Sequence, residues 1–122
     1  MKYLATVTGW GEDALEFLKD PESNFIVLFN ENCPEELAEI AVLHTEGTLL
    51  AEPAPGDILI FCEKVYDVTA VGSEAIHTLR ELGHCTLSFK GGSTAERPGC
   101  IQLAGDPPVP EDIIVGGTIE IH

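Results

Sequence analysis

The run from Val68 to Phe89, VTAVGSEAIHTLRELGHCTLSF, constrains the fold more than any other part of the chain. It reads as strand, capped helix and strand in immediate succession. Val68 and Val71 close a β-rich segment and Gly72 and Ser73 turn the chain. The Ser73 oxygen suits an orphan N–H, which predicts an N-cap there. Ile76, Leu79 and Leu82 recur at helical spacing on one face, and Glu74 lies in the first turn, where the helix dipole favours an acid. Gly83 supplies a left-handed stop, and His84 opens the next strand.

The words VTAVGS and LRELGH, followed by Pro98–Gly99, Ala104–Gly105 and Pro110–Ile113, stand in the order found in a known family. In these residues the chain resembles the glucitol/sorbitol-specific IIA component of the bacterial sugar phosphotransferase system. The resemblance is close over the C-terminal two-thirds and loose over the first third. It implies a β-barrel-like fold and a phosphoryl group carried on one histidine. The donor it implies is phosphorylated HPr, and the acceptor is a cysteine on the IIB domain of a sugar-alcohol permease.

A chain of 122 residues suffices for one domain spanning 1–122, with a core that needs no disulfide staples. No apolar stretch approaches the length of a bilayer crossing. The start, MKYLATVTGWGEDALEF, lacks the pattern of a secretory signal, so a cytoplasmic protein is expected. Cys33, Cys62, Cys85 and Cys100 are widely spaced, with no C-x-x-C pair. The last three sit in or beside the strand-like runs ILIFC, HCTLSF and GCIQLAG, where a reduced thiol serves as a small buried hydrophobe.

Charge narrows the partners. Twenty-one acids against six Lys and Arg give a net charge of −15, which argues against nucleic acid or an anionic membrane surface. Between Lys19 and Lys64 the only basic residue is His44, set among ten acids, as the sequence shows. Such a stretch serves either as a solvated surface or as a rim that steers a basic protein partner onto His44.

Strands are expected at Tyr3–Thr8, Phe25–Phe29, Ile40–Thr45, Ile58–Phe61, Val65–Val71, Cys85–Phe89, Cys100–Ala104 and Thr118–Ile121. Helical turns are expected at Glu12–Lys19 and Pro34–Glu39, and Thr48–Ala51 reads as a hairpin partner of the strand ending near His44. No internal repeat is apparent. Many short strands with few helices point to a mainly β protein, a small β-barrel or barrel-like sandwich with one or two short helices.

Phosphoryl transfer from a phosphohistidine needs an imidazole nitrogen that is neutral, reachable and aimed, with the other nitrogen held. His44 ends an apolar strand and precedes Thr45, Glu46 and Gly47, an arrangement that predicts an exposed tip with amides and a hydroxyl nearby. The family resemblance assigns His44 the phosphohistidine role, and the turn that follows it makes Thr45 and Gly47 candidate binding residues. His84, just past the helix stop, is either a phosphoryl support or a C-terminal capping residue. Arg80 is either a clamp on phosphoryl oxygens or a surface ion-pair partner of Glu81 or Asp67. His77 lies off the apolar helix face, and His122 ends the chain. Glu46 stands where some relatives carry a second histidine, and an acid there would repel a phosphoryl group.

His44-Thr45-Glu46 spells H-x-E, but the P-C-x-x-C of zinc deaminases does not follow, and no local spacing supports a metal site. Neither G-x-x-x-x-G-K-[ST] nor G-x-G-x-x-G occurs, which leaves ATP out as phosphoryl source. No cofactor is expected. The oligomeric state stays open, a homodimer included. The alternative to a phosphocarrier is a non-catalytic regulatory or binding module that retains the fold.

Overall fold

Along β1 (Tyr3–Trp10) the side chains of Tyr3, Ala5 and Val7 are buried while Leu4 and Thr8 face solvent, the period-two alternation of a strand with one wet face. Alternation recurs in Ile58–Phe61, Lys64–Val71 and Thr118–Ile121, and the computed structural model, which describes residues 1–122, closes eight strands into a barrel. The remaining elements in chain order are α1 (Glu16–Lys19), β2 (Phe25–Asn30), α2 (Glu35–Ala38), β3 (Val42–His44), β4 (Ile58–Phe61), β5 (Lys64–Val71), α3 (Ser73–Leu82), β6 (Cys85–Ser88), β7 (Cys100–Ala104) and β8 (Thr118–Ile121). Around the barrel the order is β1-β3-β2-β6-β7-β5-β4-β8, with β8 returning to β1. The pairs β2/β3 and β6/β7 are parallel and the other six antiparallel. Closure leaves no sheet edge unpaired.

The interior is filled by side chains, among them Tyr3, Ile26, Leu28, Leu59, Phe61, Tyr66, Leu87, Ile101, Leu103, Ile119 and Ile121. Cys62, Cys85 and Cys100 are buried free thiols, as the strand-like runs around them predict. No helix is long and apolar enough to cross a membrane.

Two local expectations fail for identifiable reasons. Thr48–Ala51 forms no strand, because β3 finds partners on both sides in β1 and β2. The chain after β3 instead follows β1, with Thr45 N–H donating to Thr6 O at 2.9 Å and Leu50 N–H to Lys2 O at 2.8 Å. Ser73 is not the N-cap of α3; Gly72 is, in an extended conformation with no side-chain cap bond. The Pro98 carbonyl takes that duty, accepting from Glu74 and Ala75 N–H, both at 2.9 Å. The buried face of α3 is accordingly Ala75 and Leu79, with Leu82 exposed.

The absence of a repeat is also corrected. β1 to β4 and β5 to β8 trace the same path, with β1, β2, β3 and β4 corresponding to β5, β6, β7 and β8. Val7, Thr8, Gly11, Ala14 and Leu18 correspond to Val68, Thr69, Gly72, Ala75 and Leu79. The register shift between Val7 and Gly9 recurs between Val68 and Ala70. Gly11 N–H donates to Ala41 O at 3.0 Å and Gly72 N–H to Cys100 O at 2.8 Å. Five identities were too sparse to stand out in one sequence, yet all but the threonine fall on positions that close packing restricts.

Candidate functional site at the barrel rim

His44 is the last residue of β3, paired with Val7 on β1 and Asn30 on β2. Alternation from buried Val42 turns its ring into the barrel, and the residue is 0% exposed. The exposed tip expected from sequence is therefore replaced by a covered one. Nδ1 lies 2.7 Å from Thr45 O and Nε2 lies 2.8 Å from Gly83 O. A carbonyl only accepts, so a neutral imidazole, with one N–H, satisfies one of these contacts at a time. Tyr3 meets the ring edge to face, with centroids 6.3 Å apart and planes at 88°. The Tyr3 hydroxyl is buried without a partner, and burial, with a smaller contribution from Cys85, pushes its pKa above the ordinary phenol value.

The cover comes from the C-terminus of α3. Gly83 adopts φ 62°, the left-handed cap, with its N–H on Leu79 O and the His84 N–H on Thr78 O, both at 3.1 Å. A Cβ on Gly83 would lie 2.7 Å from His44 Cε1 and 3.2 Å from Nε2. The glycine thus serves both the turn and the close approach of backbone to imidazole. Asn30 Nδ2 donates to Leu82 O at 2.7 Å, while its Oδ1 accepts from Asn32 N–H at 3.0 Å.

Beside Gly83 the surface dips into a polar cleft of about 140 Å³ lined by Asn30, Glu46, Gly47, Arg80, Glu81 and Gly83. Arg80 has no carboxylate within ion-pair distance, so the pairing with Glu81 or Asp67 weighed from sequence does not form. Glu46 Oε1 accepts from Asn32 Nδ2 at 2.7 Å. Larger hollows lie elsewhere, including one of about 440 Å³ beside Phe25, Val27 and Thr86, and none is lined by a histidine.

Of the residues singled out in sequence, His44, Gly47 and Arg80 gather at this rim. Thr45 adjoins it, but its N–H is given to Thr6 O and its Oγ1 accepts from Thr6 N–H at 3.0 Å. His84 does not enter the cleft: its Nδ1 is 3.0 Å from Leu28 O and its ring packs on Phe29 at 4.6 Å. His77 is exposed on α3, and His122 bonds Glu120 at 3.0 Å. Sequence reading missed Asn30 and Tyr3, and took Gly83 for a helix stop alone. A polar residue ending the apolar run FIVLFN was the one available hint of Asn30.

The architecture and the chain's relatives agree. A crystal structure of a PTS system IIA component from Enterococcus faecalis V583 superposes with a TM-score of 0.77 at 29% identity, covering 96% of this chain and 97% of that one. The glucitol/sorbitol-specific EIIA components of Escherichia coli (strain K12) and Shigella flexneri are each 40% identical over 120 residues, which is 98% of this chain and 94% of theirs. The first third, loose by motif, is included in that span. The family profile described as PTS system glucitol/sorbitol-specific IIA component matches residues 2–120, and the chain belongs to that family.

Proposed function

We propose that the protein is a cytoplasmic phosphocarrier that accepts a phosphoryl group on His44 Nε2 from phosphorylated HPr and passes it to the IIB cysteine of a glucitol/sorbitol permease. The observation that carries the reading is the direction of Nε2, which faces Gly83 on the edge of the polar cleft, while Nδ1 is anchored on the adjoining strand backbone. With its proton on Nδ1 and donated to Thr45 O, the ring keeps the Nε2 lone pair for attack on phosphorus. The Nε2–P bond forms as the P–N bond of the donor breaks, and the donor leaves as neutral imidazole. In the second transfer the cysteine thiolate attacks phosphorus and His44 leaves in the same way.

Arg80 is the cation placed to offset charge on the phosphoryl oxygens. Glu46 and Glu81 act in the opposite sense and disfavour a phosphoryl group that stays, which suits a carrier. Glu46, in the stretch without Lys or Arg between Lys19 and Lys64, contributes to an acidic rim that complements a basic partner face.

One observation favours the second reading, a non-catalytic module: the ring is covered and both nitrogens face carbonyls. Incubation with phosphorylated HPr followed by mass spectrometry separates the two. A single added phosphoryl group, absent from His44→Ala, is the expected result; no addition to the wild-type chain overturns the carrier reading.

A further inference from the structure

We propose that Asn30 is a positioning residue for His44, a latch that holds the C-terminal turn of α3 over Nε2 and whose release opens that nitrogen to the cleft. The inference rests on His44 as phosphoryl acceptor for its purpose, but its geometry is independent of that role.

Two contacts define the latch. Asn30 Nδ2 grips Leu82 O at 2.7 Å, one residue before the carbonyl that covers the ring. Gly83 O faces Nε2 at 2.8 Å and accepts from no backbone N–H, so the imidazole is its hydrogen-bond partner. In the other half of the barrel the corresponding left-handed residue, Asn24 with φ 44°, gives its carbonyl to Phe89 N–H at 3.0 Å and so is fixed in the sheet ladder. The Gly83 carbonyl is thus the one of the two that can leave without breaking a strand pair. When the ring carries its single proton on Nδ1, the Nε2 lone pair faces the Gly83 oxygen and the contact turns repulsive. What then keeps the turn in place is the Asn30–Leu82 bond, together with the two amide bonds of the α3 cap.

Asn30 is also hydrogen-bonded to β2's own continuation, through Asn32 N–H on Oδ1, which orients the amide so that Nδ2 points at the helix. Donor and acceptor therefore have separate tasks, and they can be separated experimentally. Asn30→Asp keeps the shape and the acceptor contact while removing the donor; Asn30→Ala removes both.

The test reads the accessibility of His44 directly. Diethylpyrocarbonate modifies unprotonated imidazole nitrogens, and peptide mass spectrometry resolves His44 from exposed His77, an internal standard on α3. Loss of one hydrogen bond of ordinary net worth shifts a local opening equilibrium about fivefold. Both variants are expected to raise the His44-to-His77 modification ratio by about that factor, with Cys85 still protected from thiol reagents as evidence of an intact barrel. With phosphorylated HPr, the transfer rate of Asn30→Ala, which adds no charge to the cleft, should rise by a similar factor at unchanged KM for the donor, the split expected of a residue that sets access rather than docking. An unchanged modification ratio in Asn30→Asp overturns the latch. Absence of phosphorylation in the wild-type chain, with the ratio still raised in the variants, overturns the carrier reading and leaves the latch standing.

Discussion

Gly83→Ala probes the contact on which the site is built, and Gly56→Ala supplies its control. Both glycines have positive φ, 62° and 97°, so both alanines carry backbone strain of about 1–2 kcal/mol. Gly56 lies further from the left-handed minimum near 57°, and strain alone would make it the more costly site. The surroundings reverse that order. A Cβ on Gly56 meets nothing within 4 Å, whereas on Gly83 it meets His44 Cε1 at 2.7 Å and Asn30 Cβ at 3.2 Å. Neither neighbour is the free end of a flexible chain, so accommodation resembles overpacking, at a further cost of about 1–3 kcal/mol.

Gly83→Ala should therefore lose about 2–5 kcal/mol and Gly56→Ala about 1–2 kcal/mol. Urea unfolding followed through Trp10, the single tryptophan, measures both. With an m-value of about 1–3 kcal/mol/M, the Gly83 variant should unfold roughly 1–2 M earlier than wild type. Its imidazole ¹⁵N signals should move, because the turn must shift off the ring. Equal midpoints for the two variants, with unmoved His44 signals, would refute the close approach of Gly83 to the imidazole and the cover built on it.

Gly11→Ala and Gly72→Ala should both be severely destabilising and by similar amounts, since each Cβ would collide with a backbone carbonyl, Ala38 O in one half and Pro98 O in the other; paired urea midpoints check this. Native labelling with a thiol reagent should stop at half-buried Cys33, because Cys62, Cys85 and Cys100 are buried, and burial pushes the Cys85 thiol up to about 12; all four should react in denaturant. Stability should fall in acid. Burial raises the Asp57 pKa, but the Lys2 ammonium at 2.7 Å and the Ala54 N–H at 2.8 Å outweigh it, so the folded value lies below the unfolded one. The Thr118 hydroxyl, then His122, lower Glu120 in the same sense. Such carboxylates contribute stability that is present above their unfolded pKa near 4 and is lost as pH falls through the folded value. Asp57→Asn should flatten that acid slope in pH-dependent unfolding without steepening it at neutral pH.

Strand existence was legible because short apolar or alternating runs bounded by turns mark the barrel strands, and β8 falls on the expected Thr118–Ile121. The helix from Ser73 to Leu82 was legible from its glycine stop and its apolar spacing. Partner choice was not. A hairpin between Ile40–Thr45 and Thr48–Ala51 satisfies local rules, but β3 buries both edges by lying between β1 and β2, and no local signal encodes that competition. The same limit explains His44. Its place after Ala41, Val42 and Leu43 told of a strand end, but whether the ring faced in or out depended on register, and its cover comes from a helix thirty-odd residues on.

The internal correspondence of the two halves shows how a covered histidine comes to stand at one rim position and not at its counterpart. His44 pairs with Val7 across the β1 register shift, and Leu103 pairs with Val68 across the matching shift in β5. Leu103 is fully buried in the core and offers no ring nitrogen, and the left-handed turn on its side is locked by the Asn24–Phe89 bond. On the His44 side, the histidine comes from the first half and the covering glycine from the second. The covered imidazole therefore exists only where the halves meet, and neither half alone supplies both the ring and its cover. A chemical asymmetry has been set into a nearly symmetric barrel by a few residues: a histidine for a leucine, a glycine for an asparagine, and an asparagine side chain that holds the helix end where the ladder bond does so on the opposite side.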